Sequence, residues 1–273
     1  MTELRSAVAP APVRFFGSIG STNRWATDAL RRGQIVAPTL VVASTQSAGV
    51  GRRGARWWSP RGNLSLTLAL PPADREAVAA HELPIRSAVA VVRAVDRATA
   101  GRAAVGLKWP NDLVVPCGKP LAGRKIAGLL CERLACGDLI GVGLNVNVDQ
   151  AATFRNAGRP IASLARLIGG RVDLTTVARA VSEALLRALI TQPLEPFAAV
   201  LDEYRSRDAL LGTPVEVTAA DGRILCGVSN GLDPHGRLIL RADKQLRIVA
   251  VGHVGRWGPR LKPPRARRQA SNG

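Results

Sequence analysis

Gln46-Ser47-Ala48-Gly49-Val50-Gly51-Arg52-Arg53-Gly54-Ala55-Arg56-Trp57 interleaves three glycines with a pair of arginines and closes on a tryptophan. Glycine lets the backbone approach a ligand closely and takes positive φ without steric cost. Each arginine offers a rigid fork of donors that suits phosphate or carboxylate. Such a loop is built to hold an anion. Taken alone, the stretch also fits a solvated turn or a nucleic-acid contact, so its surroundings decide. Before it, Val13–Ile19 reads as a strand, and Ser21-Thr22 supplies N-cap chemistry for a helix over Asn23–Arg32 that stops at Gly33. Thr39–Thr45 is a β-rich run leading into the loop. After the loop, Asn63–Leu70 sets Leu64, Leu66, Leu68 and Leu70 against Ser65, Thr67 and Ala69, the period of a half-buried strand.

Further along, Pro84 fits the first turn of a helix running to Ala98, with Ile85, Val89, Val92 and Val95 on one face. Val105–Trp109, Leu113–Val115, Ile126–Leu134 and Leu139–Val148 read as strands, so the first part of the chain is sheet-centred. Ser163–Ile168, Leu174–Ile190 and Pro196–Leu211 read as helices, the last ended at Gly212. From Pro214 the texture changes to short strands, Val215–Val217, Ile224–Val228, Leu238–Leu240 and Ile248–Val251, separated by turn residues. This spacing predicts a small barrel. The expected organisation is a short N-terminal segment (1–12), a catalytic domain (13–211), a C-terminal β domain (212–258) and a basic, Pro-rich, disordered tail (259–273).

The 273 residues suffice for a large core plus a small domain, and 47 % hydrophobic residues exclude wholesale disorder. Net charge is +18, but all except five of the 38 basic residues are arginine, which looks like a compositional bias as much as a nucleic-acid patch. The tail alone supplies five of those charges, and a solvated terminus is its simplest reading. Cys117, Cys131, Cys136 and Cys226 include no CxxC pair and have no histidine cluster nearby, so neither zinc nor a disulfide framework is indicated. Charged residues interrupt the N-terminus and no long apolar run follows. The reading is a reduced cytoplasmic protein that is not membrane-bound.

Two more blocks carry chemistry: Lys108-Trp109-Pro110-Asn111-Asp112 at a strand end, and Arg124-Lys125-Ile126-Ala127-Gly128 opening the next strand. A lysine facing inward beside Ala127 and Gly128 is costly without an anionic partner. Other readings stay open for single blocks: Ser21-Thr22 as a plain N-cap, Trp57 as core, and Asn111-Asp112 as a strand-end turn. Together, Ser21-Thr22-Asn23, the Gly/Arg loop, these two blocks, Gly141-Val142-Gly143-Leu144-Asn145-Val146-Asn147 and the terminal β segment occur in an order that resembles the biotin protein ligases across nearly the entire chain.

The resemblance implies an α+β fold: a mixed, largely antiparallel sheet with helices, like the catalytic domain of class II synthetases, plus a small SH3-like β-barrel. It implies activation of biotin by ATP to biotinoyl-AMP and pyrophosphate, with Mg²⁺ held mainly through the ATP phosphates and its protein ligands unknown. Transfer to one lysine of the biotin carboxyl carrier domain of an acyl-CoA carboxylase would follow. Lys125 and Arg52 match the catalytic positions. Ser21, Thr22, Asn23, Gln46, Val50, Gly51, Arg52, Lys125 and Gly128 match biotin contacts; Arg52, Arg53, Gly54, Trp57, Asn111, Asp112, Lys125 and Asn145 match ATP or adenylate contacts, with Trp57 a surface for adenine. Physically, a carboxylate must attack an α-phosphate although both are anionic, and Arg52, Arg53 and Lys125 would offset that repulsion. Two departures stand out. Val50 replaces the usual first loop arginine, and Pro116-Cys117-Gly118-Lys119-Pro120 lengthens the turn before Lys125. Relatives often carry an N-terminal DNA-binding repressor module; the first ligase strand at Val13 is read as leaving no room for one, so DNA binding is not expected. A monomer or weak homodimer is expected. The rival readings are a lipoate protein ligase-like transferase and a non-catalytic basic nucleic-acid-binding protein.

Overall fold

The computed structural model describes residues 11–74, 78–148, 161–242 and 245–258; the expected tail and most of the expected N-terminal segment lie outside these. Two sheets organise them. The first holds β1 (Val13–Phe16), β2 (Thr39–Ala43), β3 (Asn63–Leu70), β4 (Gly106–Lys108), β5 (Asp112–Val114), β6 (Lys125–Leu134) and β7 (Gly137–Asn145) in the order β1-β2-β3-β7-β6-β5-β4. Only β1 and β2 pair in parallel; the other pairs are antiparallel, which makes the expected mixed sheet. The second sheet, β8 (Pro214–Ala219), β9 (Ile224–Leu232), β10 (Leu238–Ala242), β11 (Gln245–Val249) and β12 (Gly252–Trp257), is antiparallel in the order β11-β10-β9-β8-β12 and supplies the small C-terminal β unit.

The helices cover both faces of the first sheet. α1 (Thr22–Arg31) packs Ala26, Ala29 and Leu30 against Val41, Ala69 and Leu139 on one face. α2 (Leu83–Thr99) and α4 (Leu174–Leu189) bury Val89, Val92, Val181 and Leu185 with the β3 leucines on the other. Ser163 and Asp173 cap α3 (Leu164–Ile168) and α4 by accepting from backbone N–H groups of their first turns. The β3 strand departs from the half-buried expectation, because all eight of its residues are buried. Its polar face carries Ser65 and Thr67 under α1, where the Thr67 hydroxyl lies 2.6 Å from Asn23 Oδ1 and 2.9 Å from Thr22 Oγ1. Alternation marked a polar face here, and that face is internal.

Two further differences have clear causes. The helix expected to reach Leu211 is α5 (Phe197–Ser206), because the following residues pair with β4: Leu107 N–H donates to Arg207 O and Ala209 N–H to Leu107 O. Strand β12 is absent from the sequence reading, since Gly252 and Gly255 blur its alternation, and the strand expected at Ile248–Val251 is β11, ending at Val249.

At that helix end, burial lifts the Asp208 carboxyl to about 6, and its Oδ2 has no hydrogen-bond partner among the described residues. The folded form therefore holds this proton more tightly than the unfolded chain. The associated stability is fully present below about pH 4 and is lost as pH rises through 6. Asp208→Asn, which stays neutral and keeps the Oδ1 acceptor that binds Leu210 N–H at 2.9 Å, should raise stability at pH 7.5 by about 2 kcal/mol. It should also flatten the decline between pH 4 and 6 in thermal unfolding; a variant that melts like the parent at both pH values contradicts this.

Candidate active site

The N-terminus of α1, the Gly/Arg loop, the open faces of β6 and β7 and one residue of β12 enclose a cavity of about 330 Å³. Ser21, Thr22, Asn23, Gln46, Val50, Gly51, Arg52, Arg53, Trp57, Asn111, Asp112, Lys125 and Gly128 all line it, so segments far apart in sequence converge on one space. Gly54 and Asn145 do not. Gly54 turns the loop with φ of +73°, and Asn145 is buried in β7, where its amide donates to the Lys125 carbonyl at 3.3 Å.

Helix α1 begins at the cavity because Ser21 is extended and its hydroxyl accepts from Arg24 N–H. Gln46 Oε1 accepts from Thr22 N–H at 2.8 Å and lies 3.1 Å from its hydroxyl, tying the loop's base to the helix start. Asn23 donates to Glu132 Oε2 at 3.0 Å, so its amide is fixed in orientation. This end of the cavity offers short, rigid donors and acceptors among buried surroundings.

The floor is backbone. Gly128 and Gly143 are register partners on β6 and β7, and Gly141 lies two residues further along. A Cβ at Gly143 would collide with the Trp57 indole, one at Gly128 would come within 2.6 Å of Lys125 Nζ, and one at Gly141 would strike the Asn23 amide. Trp57 thus lies against a glycine-paved strip, with Lys125 Nζ 5.5 Å from its ring centroid. Its indole N–H is buried with no partner among the described residues. In the sequence Gly141 and Gly143 are only motif positions; their joint role with Gly128 needs the β6–β7 register, which spacing along the chain does not reveal.

Cationic groups gather at the other end. Lys125 Nζ sits 2.5 Å from Asp112 Oδ1, and Lys108 Nζ lies 3.7 Å from Oδ2, all three side chains being at most 13 % exposed. The Arg52 guanidinium donates to Asn111 Oδ1 at 3.1 Å and to the Gly252 carbonyl at 2.9 Å, joining the loop to both sheets. Burial pulls its pKa below the ordinary arginine value, with Asp112 opposing. The loop itself is a tight hairpin: Gly51 N–H donates to Ala55 O at 2.7 Å, Trp57 N–H to Gly49 O at 2.9 Å, and Arg53 takes φ of 57°. Lys119, the other lysine near the second block, is exposed and outside the cavity.

A second cavity of about 600 Å³ shares Arg52 and Asn111 with the first and continues between Trp109, Pro110, His81, His235 and Gly252. Trp109 donates to Gly236 O at 3.0 Å across its base. His253, on β12, was not anticipated and lines the first cavity. A lone histidine between glycines gives no periodic signal. Among the described residues no cluster of three carboxylate, imidazole or thiol groups could hold a metal ion, and no helix is long and apolar enough to cross a membrane. Burial lifts the Cys131 thiol to about 12, so it is not a nucleophile.

Residues 15–149 match the Biotin/lipoate A/B protein ligase family, and residues 210–254 match the Biotin protein ligase C terminal domain. The chain is 30 % identical over 220 residues to the biotin--[acetyl-CoA-carboxylase] ligase of Paracoccus denitrificans, covering 78 % of this chain and 88 % of that one. It is 32 % identical over 255 residues to the bifunctional ligase/repressor BirA of Escherichia coli, covering 91 % and 73 %. Among solved structures, the biotin protein ligase of Aquifex aeolicus in complex with biotin and ATP superposes with a TM-score of 0.69 at 22 % identity, over 89 % of this chain and 97 % of that one. That structure shares the fold; the sequence relatives carry the family. The chain belongs to the biotin protein ligase family.

Proposed function

We propose that this protein joins biotin to ATP, forming biotinoyl-AMP and pyrophosphate, and then moves the biotinoyl group to a lysine of a biotin carboxyl carrier domain. One observation carries the reading: a single trench has fixed polar groups for a ureido ring at one end, a glycine floor for a flat apolar body, and Lys125 and Arg52 at the other end. Biotin presents those features in that order, ending in its carboxylate.

In this reading Ser21, Thr22, Asn23 and Gln46 orient the ureido ring. Lys125 and Arg52 neutralise the carboxylate and the α-phosphate as they approach, in surroundings where desolvation strengthens each charge. The second cavity gives the nucleotide room beside Asn111 and Arg52. Magnesium, when bound with the nucleotide, would be held mainly through the phosphates and would lower the charge repulsion on them. Free cysteines at 117, 131, 136 and 226 fit a reducing compartment.

Biotin-dependent exchange of pyrophosphate into ATP tests the reading. Exchange with biotin and none with lipoate is expected; exchange with lipoate alone, or with neither acid, contradicts it. A separate consequence concerns Arg52. Its guanidinium pins the loop to Asn111 and Gly252, so Arg52→Gly should let the reactive adenylate escape before transfer. Bystander proteins mixed with biotin and ATP should then become biotinylated on many lysines, severalfold above the parent enzyme; equal background labelling removes Arg52 from this role.

A further inference from the structure

We propose that His253, carried into the cavity by the C-terminal sheet, is the base that takes a proton from the acceptor lysine during transfer. The inference rests on the ligase reading above and concerns its second half-reaction.

That step needs a proton acceptor. A lysine is an ammonium at neutral pH and cannot attack until it has lost one proton, which goes to solvent. The resulting amine attacks the acyl carbon, a C–N bond forms, and the bond from that carbon to the bridging phosphate oxygen breaks, its electron pair leaving with AMP. In the tetrahedral adduct, before AMP departs, the nitrogen sheds its second proton so that the product is a neutral amide, and this is the proton assigned to His253.

The cavity offers few groups able to receive it. Arg52, Arg53 and Arg56 have no acceptor atom. Asp112 is engaged by Lys125 at 2.5 Å with Lys108 at 3.7 Å, and accepting a proton there would weaken both pairs. His253 lines the same space, and no hydrogen bond among the described residues occupies its ring. Its surroundings keep it neutral and able to accept: burial, then Lys108, lower its pKa, Arg52 and Lys125 add to this, and Asp112 opposes. On β8 its register partner is the uncharged Thr218. The neighbouring Gly252 carbonyl binds Arg52, so the contact that pins the loop also sets the base beside the cavity.

The assignment gives the C-terminal sheet a part in the chemistry. The test supplies chemically prepared biotinoyl-AMP to parent and variant enzymes and follows single-turnover transfer to a biotin carboxyl carrier domain between pH 5.5 and 9. In the parent, the rate should climb with pH as the free amine form of the lysine grows, and should fall off more steeply below a break that lies under the usual histidine pKa, where the imidazole becomes protonated. His253→Ala and His253→Gln should transfer about 100-fold more slowly at pH 7. Their rates should climb with pH without that break, and added imidazole should restore part of the alanine variant's rate. Profiles that superimpose on the parent's, or a glutamine variant with full transfer, overturn the assignment. Biotin-dependent pyrophosphate exchange by the parent enzyme separates the two claims: without exchange the ligase reading falls, whereas exchange combined with an unaltered transfer profile removes His253 alone.

Discussion

Lys125→Ala should slow biotin-dependent pyrophosphate exchange by about two orders of magnitude or more, with thermal unfolding little changed. The ammonium lies at 13 % exposure against Asp112, in the cavity that also holds Arg52. In that setting one oriented charge contact to the transition state is worth about 3 kcal/mol, or roughly a hundredfold in rate. The fold should survive, because Lys108 stays within 3.7 Å of Asp112 and the carboxylate keeps a cationic neighbour. Lys125→Arg should recover only part of the loss, since a planar fork cannot replace a compact ammonium beside Gly128. Near-parental exchange by the alanine variant would take Lys125 out of the chemistry.

Gly143→Ala should weaken biotin binding about a hundredfold or more while leaving the protein folded. The strip formed by Gly128, Gly141 and Gly143 is where two strands present bare backbone to the cavity, and a methyl group at 143 points into the Trp57 indole. Either the indole lifts and the loop loses its seat, or the trench becomes too shallow for a bicyclic ligand. Alanine suits extended backbone at least as well as glycine, so stability should change little. Gly17→Ala, where nothing lies within 4 Å of an added Cβ, is the matched control. Calorimetric titration with biotin decides it: an affinity close to the parent's would mean that the ligand does not lie on this floor.

Much of this was legible from residue order. Glycine and arginine in the loop, the inward-facing lysine before Ile126 and the N-cap at Ser21 each carry a local physical signature, and thirteen of the fifteen expected site residues line one cavity. Gly54 and Asn145 lie outside it: Gly54 turns the loop and Asn145 holds the Lys125 backbone. What escaped depends on pairing across the chain. The glycine floor exists only because β6 and β7 align Gly128 with Gly143. The polar face of β3 is buried because α1 covers it. His253 reaches the cavity only because β12 lies at the edge of the second sheet beside β8, a strand whose glycines hide its period.

Lys125 and Arg52 should meet at the junction of the vitamin's carboxylate and the nucleotide's α-phosphate. A crystal structure of the protein with biotinoyl-AMP tests it most directly. Lys125 Nζ and the Arg52 guanidinium should both lie within hydrogen-bonding distance of the atoms flanking the anhydride, with the ureido ring against Ser21, Thr22 and Asn23. An adenylate bound elsewhere, or a Lys125 side chain turned away from it, would remove both residues from the chemistry.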